Sequence, residues 1–201
     1  RRADLVVFDS LEQLRAQRVY VAGRQVAQHG VMLEPVTGPQ AVPPRDTLRL
    51  APLSPGDFTL RIGNIQHGAA RLRHIRGARF TRWGEAEVLI RNGCVQLPDG
   101  FSFIWVQHRH GRHDATPQIA ILEGWGELRG AIATSYSHDS HNLGVLGRCP
   151  QDMALAANTL IASGGGMALT QNGALIAHVA MPIAGMLSDS PPAELAAAFR
   201  E

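Results

Sequence analysis

Short alternations of apolar and polar residues, punctuated by Asn-Gly and Gly-rich turns, run through this chain and predict strands more often than helices. "ADLVVFD" is a brief apolar run closed by Asp9-Ser10. "RVYVAGRQVAQHG" alternates through Val19 and Val21, breaks at Gly23 and resumes at Val26. "EAEVLI" and "CVQL" flank Asn92-Gly93, a pair that tolerates the positive φ of a tight hairpin turn. "FSFIWVQHRHG" sets Phe101, Phe103 and Trp105 against Ser102, Ile104 and Val106, a strand that leads to a histidine-bearing end. "LRGAIATSY" predicts another strand, and "GMALTQNGALIAHVAM" a hairpin turning at Asn172-Gly173.

Two segments read as helices. "CPQDMALAANTLIASGGG" has Pro150 near its start, apolar Met153, Leu155, Ala156, Leu160 and Ile161, and a Gly164-Gly165-Gly166 stop. "PPAELAAAFRE" has proline in its first turn. Hairpins outnumber helices and no regular βαβ alternation is visible. The fold class expected is therefore α+β, a mostly antiparallel sheet with a few helices.

Residues 34–58 carry five prolines between Pro35 and Pro52 and a sixth at Pro55. Proline fixes φ and removes a backbone donor, so this stretch predicts an extended surface connector. Two or three short strands before it cannot bury a core alone. The expected organisation is terminal strands over 1–30, a connector over 31–55 and a compact domain over 56–201.

Composition narrows the function classes. The 201 residues are 45% hydrophobic and 18% charged, as in ordinary globular proteins, and no apolar run approaches a bilayer span. A cytoplasmic location is the default expectation. The net charge of +2 is too weak to argue for nucleic acid. All nineteen basic residues are arginine. The one basic cluster, "ARLRHIRGARFTR", would place Arg71, Arg73 and Arg79 on one face of a strand, as a solvated face or an internal contact. Cys94 and Cys149 lack a C-x-x-C pattern and are expected to be buried reduced thiols.

Two polar clusters could carry chemistry. His108, His110, His113 and Asp114 fall within seven positions; on a strand His108 and His110 would share a face and could grip one metal ion, whereas after Gly111 an exposed loop serves equally well. "SHDSHN" places His138, Asp139, His141 and Asn142 in a run of turn-forming residues. Such a loop could hydrogen-bond a heteroaromatic base or move a proton. It could equally be a capped loop whose histidines pack on neighbours. The glycines 164–166 follow a helix and do not open one, so helix termination is expected in place of phosphate binding.

The stretch from Tyr136 to Asp189 resembles the C-terminal domain of bacterial adenine deaminases of the amidohydrolase superfamily. The features shared are His138 to Asn142, the acidic-Met-Ala-Leu-Ala helix at Asp152 to Ala156, the glycine turn at Gly164 to Gly166, and a tail from Pro182 to Asp189 with Met186-Leu187 in swapped order. "HRHGR", 108–112, is similar to the family's Arg-His-Gly strand end. The first thirty residues resemble the closing strands of the small β-sandwich that flanks the barrel in these hydrolases.

The resemblance implies hydrolytic deamination of adenine to hypoxanthine and ammonia. It places a divalent transition metal, Mn or Fe in a binuclear centre, in a TIM-like barrel that is absent from these residues. The chain alone is then expected to be inactive and to hold no metal. His138, Asp139, His141 and Asn142 would line the active site, with His108 and His110 as weaker candidates. The implied partners are adenine, the barrel and further copies of the protein, with no nucleic acid and no membrane. The alternative is a non-catalytic structural, oligomerisation or ligand-binding module that kept this fold without the barrel.

Overall fold

The computed structural model describes residues 3–35, 38, 42–77, 80–111, 116–138 and 140–200. Contacts divide the chain into Arg1–Val42 and Pro43–Glu201. The first unit is a four-stranded antiparallel meander of β1 (Leu5–Phe8), β2 (Ala16–Val21), β3 (Arg24–Gln28) and β4 (Val31–Met32). Leu5, Val6, Val7 and Phe8 are all exposed, so successive apolar side chains point from both faces of β1.

The second unit is built on one large sheet. Its strands are β5 (His67–Arg76), β6 (Arg82–Arg91), β7 (Cys94–Gln96), β8 (Phe101–Gln107), β9 (Gln118–Glu123), β10 (Ala131–Thr134), β11 (Leu143–Gly147), β12 (Gly166–Gln171) and β13 (Ala174–Ala180). Among the described residues they lie in the order β13-β12-β10-β11-β8-β9-β5-β6-β7. Every neighbour pair is antiparallel except β5 with β9. The α+β, sheet-dominated class expected from the pattern is therefore the class observed. Both Asn-Gly pairs turn hairpins, with Asn92 and Asn172 at φ of 52° and 53°.

Helix α1 (Pro150–Ser163) crosses from β11 to β12, passing over the intervening β10. Its sequence explains its limits. Pro150 occupies the first turn, and Gly164 closes the helix in the left-handed region at φ 79°. Met153, Ala156, Ala157 and Leu160 cover the sheet face formed by Phe103, Trp105, Ala131, Ala133, Leu143, Val145 and Ala168. Small residues under the helix allow close approach, since a Cβ on Gly147 would lie 2.6 Å from Met153 Cγ. A short helix α2 (Pro192–Ala198) packs near β13.

The proline-rich stretch departs from the expected surface connector. The compact unit starts at Pro43, not near residue 56. Leu48 is buried in the core, and Phe58, in a 3₁₀ turn over Pro55–Phe58, is fully buried with its ring 4.9 Å from that of Trp105. The backbone of Leu53 exchanges two hydrogen bonds of 2.8 Å with the side chain of Asn158 on α1. Proline limits which bonds an extended segment can make with its own neighbours. It does not prevent the segment's leucines and free amides from being claimed by a helix far along the chain.

Other expectations also change. β8 ends at Gln107, so His108 and His110 follow the strand instead of sharing its face. Cys94 and Cys149 are free thiols but half-buried, not buried. Arg71 and Arg73 share the outer face of β5, where Glu85 lies 3.7 Å from Arg71 and Trp83 stacks under Arg73 at 4.5 Å. That charge is balanced locally, as suits a solvated face; Arg79 lies outside the described residues.

Candidate functional site at one end of the sheet

Register places the quoted motifs together. Leu143 at the start of β11 pairs with Gln107 at the end of β8, and Thr134 at the end of β10 pairs with Met167 near the start of β12. Gly166 in turn pairs with Ala180 at the end of β13. Residues 108–111, 135–142, 164–166 and 181–187 therefore all leave the sheet at the same end. Elements far apart in sequence meet there only because the strand order interleaves them.

Residues 137, 138 and 140–142 belong to a loop, held as one turn by the His141 N–H donating to Ser137 O at 2.7 Å and the Ser140 N–H donating to His138 O at 2.9 Å. Ser140 Oγ accepts from the Asn142 N–H. His141 sits in the left-handed region at φ 49°, unusual for a residue with a side chain. His138 is exposed, His141 and Asn142 are half-buried, and Tyr136 lies with its ring 6.3 Å from that of His141. His108 and His110 are half-buried, their rings meeting edge-on at 5.3 Å. Asp139, His113 and Asp114 lie outside the described residues. Among the described residues no three His, Cys, Asp or Glu side chains come together as a metal site.

Beneath the loop is a residue that the pattern did not single out. Arg109 is fully buried. Its Nε donates to His141 O, its Nη1 to Thr47 Oγ1 at 2.7 Å and to Thr47 O at 3.3 Å, and its Nη2 to Ala184 O at 2.8 Å. The guanidinium pairs with no carboxylate among the described residues, and burial pushes its pKa below the ordinary arginine value. The Arg109 carbonyl also accepts from the Arg49 N–H at 2.7 Å, and Pro44 O accepts from the Ala184 N–H at 2.6 Å. The sequence signals for this were an arginine between two histidines, immediately after an apolar strand, and its place in the Arg-His-Gly strand end similar to the family's.

Ser135 forms a second tie. Its buried Oγ donates to Gly185 O at 2.6 Å and accepts from the Gly166 N–H at 2.7 Å. Helix termination accounts for Gly164 alone. Gly165, at φ 124°, lets two chain segments touch, because a Cβ there would lie 2.5 Å from Gly185 Cα. A Cβ on Gly185 would in turn lie 2.6 Å from Arg109 Nη1.

His74, the buried histidine among the described residues, lies toward the opposite end of β8. Its Nε2 is 3.0 Å from Glu123 Oε2, which also forms an ion pair with Arg76 Nε at 2.7 Å, and its ring meets Phe101 edge-on. The pair packs at the edge of the core.

Fold and motif cluster together define a sheet-dominated α+β domain. The family model for the adenine deaminase C-terminal domain matches residues 78–201. Over its whole length the chain is 72% identical to an adenine deaminase of Klebsiella pneumoniae (strain 342) and 71% identical to one of Serratia proteamaculans. It is 45% identical, over 99% of its length, to adenine deaminase 2 of Rhizobium meliloti. The chain spans about a third of the length of these relatives, 33–34%. It belongs to the adenine deaminase C-terminal domain family.

Proposed function

We propose that this chain is the C-terminal portion of an adenine deaminase and that its His138–Asn142 loop closes the mouth of an active site carried by the rest of the protein. The reaction would be hydrolytic: adenine and water give hypoxanthine and ammonia. The single observation that carries this is the convergence of the family-like motifs at one end of one sheet, where they present an imidazole at the surface on an internally braced loop. In this reading the divalent metal, Mn or Fe, would be bound by the barrel outside this chain. His138, His141 and Asn142 offer the donors and acceptors that a purine edge needs, and Asp139 would add a carboxylate. His108 and His110, just past the end of β8 and beside the loop, would line the same mouth less directly.

The test is His138→Ala and Asp139→Asn in the full-length enzyme, with kcat and KM for adenine measured for each. A rise in KM of about tenfold, the loss of roughly one hydrogen bond to the purine, is expected. Unchanged kcat and KM in both variants would leave the loop a structural element.

A second reading has its own support. Leu175 and Ile176 on β13 and Phe199 after α2 are exposed apolar side chains, as an interface module would present. Association of full-length copies that is abolished by Ile176→Glu, with kinetics unchanged, would favour it.

A further inference from the structure

We infer that Arg109 is a positioning residue that sets the conformation of the 137–142 loop by locking it to the 44–49 segment and to the Ala184–Gly185 turn. A buried cation whose acceptors among the described residues are all neutral is costly, and an apolar side chain of similar size would avoid that cost. What the guanidinium does that an apolar chain cannot is point donors in three directions at once. Its Nε reaches the loop through His141 O, Nη1 reaches Thr47 twice, and Nη2 reaches Ala184 O. Each acceptor belongs to a segment without regular secondary structure, and two of the residues concerned, His141 and Ala184, hold φ of 49° and 54°. Such backbone conformations persist only where the surroundings over-determine them. Gly185 completes the arrangement, because any side chain there would meet the guanidinium.

Lysine cannot substitute. Its ammonium is a compact charge with tetrahedral donors, whereas arginine carries five N–H groups in a planar fork. The three segments are thereby coupled: the loop keeps its turn while the fork is intact and loses it when the fork goes.

The positioning role itself follows from geometry, and only its kinetic consequence rests on the proposed function. The test uses the full-length deaminase carrying this chain and compares Arg109→Lys with Asn158→Ala. The latter removes a two-bond side-chain tie elsewhere in the domain. Amide exchange at Ser140, His141 and Asn142 is measured together with kcat and KM for adenine. Arg109→Lys is expected to speed exchange at these amides by roughly tenfold or more and to raise KM more than it lowers kcat. Asn158→Ala is expected to lower the melting temperature without either change. Thr47→Val, which removes only the Oγ1 acceptor and leaves the charge, is expected to give a smaller rise at the same amides, and it carries the test if Arg109→Lys fails to fold. Wild-type exchange in the loop of Arg109→Lys, or of Thr47→Val where only that variant folds, would overturn the positioning role. Faster exchange with unchanged kinetics would uphold it and instead remove the loop from the active site.

Discussion

Asp152, in the first turn of α1, accepts the Gly173 N–H at 2.7 Å and the Asn172 N–H at 3.1 Å, so a buried carboxylate fastens the helix start to the turn of the β12–β13 hairpin. The neighbouring Thr170 hydroxyl donates to the Asp152 carbonyl at 2.8 Å. Helix and hairpin are thus joined by side chain and main chain at one residue.

Removing that carboxylate strands two turn amides. Asp152→Ala is expected to cost about 1.5–3 kcal/mol, the range for hydrogen bonds to a charged group, while the isosteric Asp152→Asn retains part of the bonding and costs less. Urea unfolding of the two variants checks the order; equal stability of Asp152→Ala and wild type would contradict the tie.

The Ser135 hydroxyl bridges Gly166 and Gly185 from a fully buried position. Ser135→Ala is expected to lose about 1–3 kcal/mol, and Gly165→Ala more, since its Cβ would sit 2.5 Å from Gly185 Cα in a left-handed backbone. Thermal unfolding of each variant measures both, and a neutral Gly165→Ala would refute the close approach.

Leu48 and Phe58 test whether the proline-rich stretch belongs to the domain. Both are buried in the core cluster. Leu48→Ala should cost about 2–4 kcal/mol and Phe58→Ala about 3–5 kcal/mol. A surface connector over 31–55 would not show the Leu48→Ala effect, so a midpoint of denaturant unfolding within error of wild type for that variant would restore the simpler description.

His178 on β13 lies with Nε2 3.1 Å from Ser163 Oγ, and desolvation lowers its pKa from the ordinary 6.5. A histidine with a depressed folded pKa binds protons more readily when unfolded. Its contribution is fully present above pH 6.5 and is lost as pH falls from there through the folded pKa. His178→Gln should therefore flatten the decline of melting temperature between neutral and mildly acidic pH. Parallel pH profiles for the two proteins would show that another group sets the decline.

Much of the fold was legible in short stretches. Asn92-Gly93 and Asn172-Gly173 specify their hairpins because positive φ at two successive residues is a local demand. The limits of α1 follow from Pro150 and Gly164 for the same reason. β9 and β11 were less legible, because five- or six-residue apolar runs such as "LGVLG" read equally as buried strand or buried helix. Of the site, the loop's residue types were visible. The role of Arg109 was not, since an arginine after a strand ordinarily signals solvent and its partners lie 62, 32 and 75 residues away.

The sequence by itself determined the α+β class, the hairpins, the main helix and the likeness to adenine deaminases, all of which rest on chemistry between near neighbours. Only the tertiary structure decided the strand order, the one parallel pairing of β5 with β9, the capture of residues 43–55 by the core, and the seating of "SHDSHN" on a buried guanidinium. Those depend on which distant segments satisfy each other's buried polar groups and apolar surface, and a local pattern carries no record of its partner.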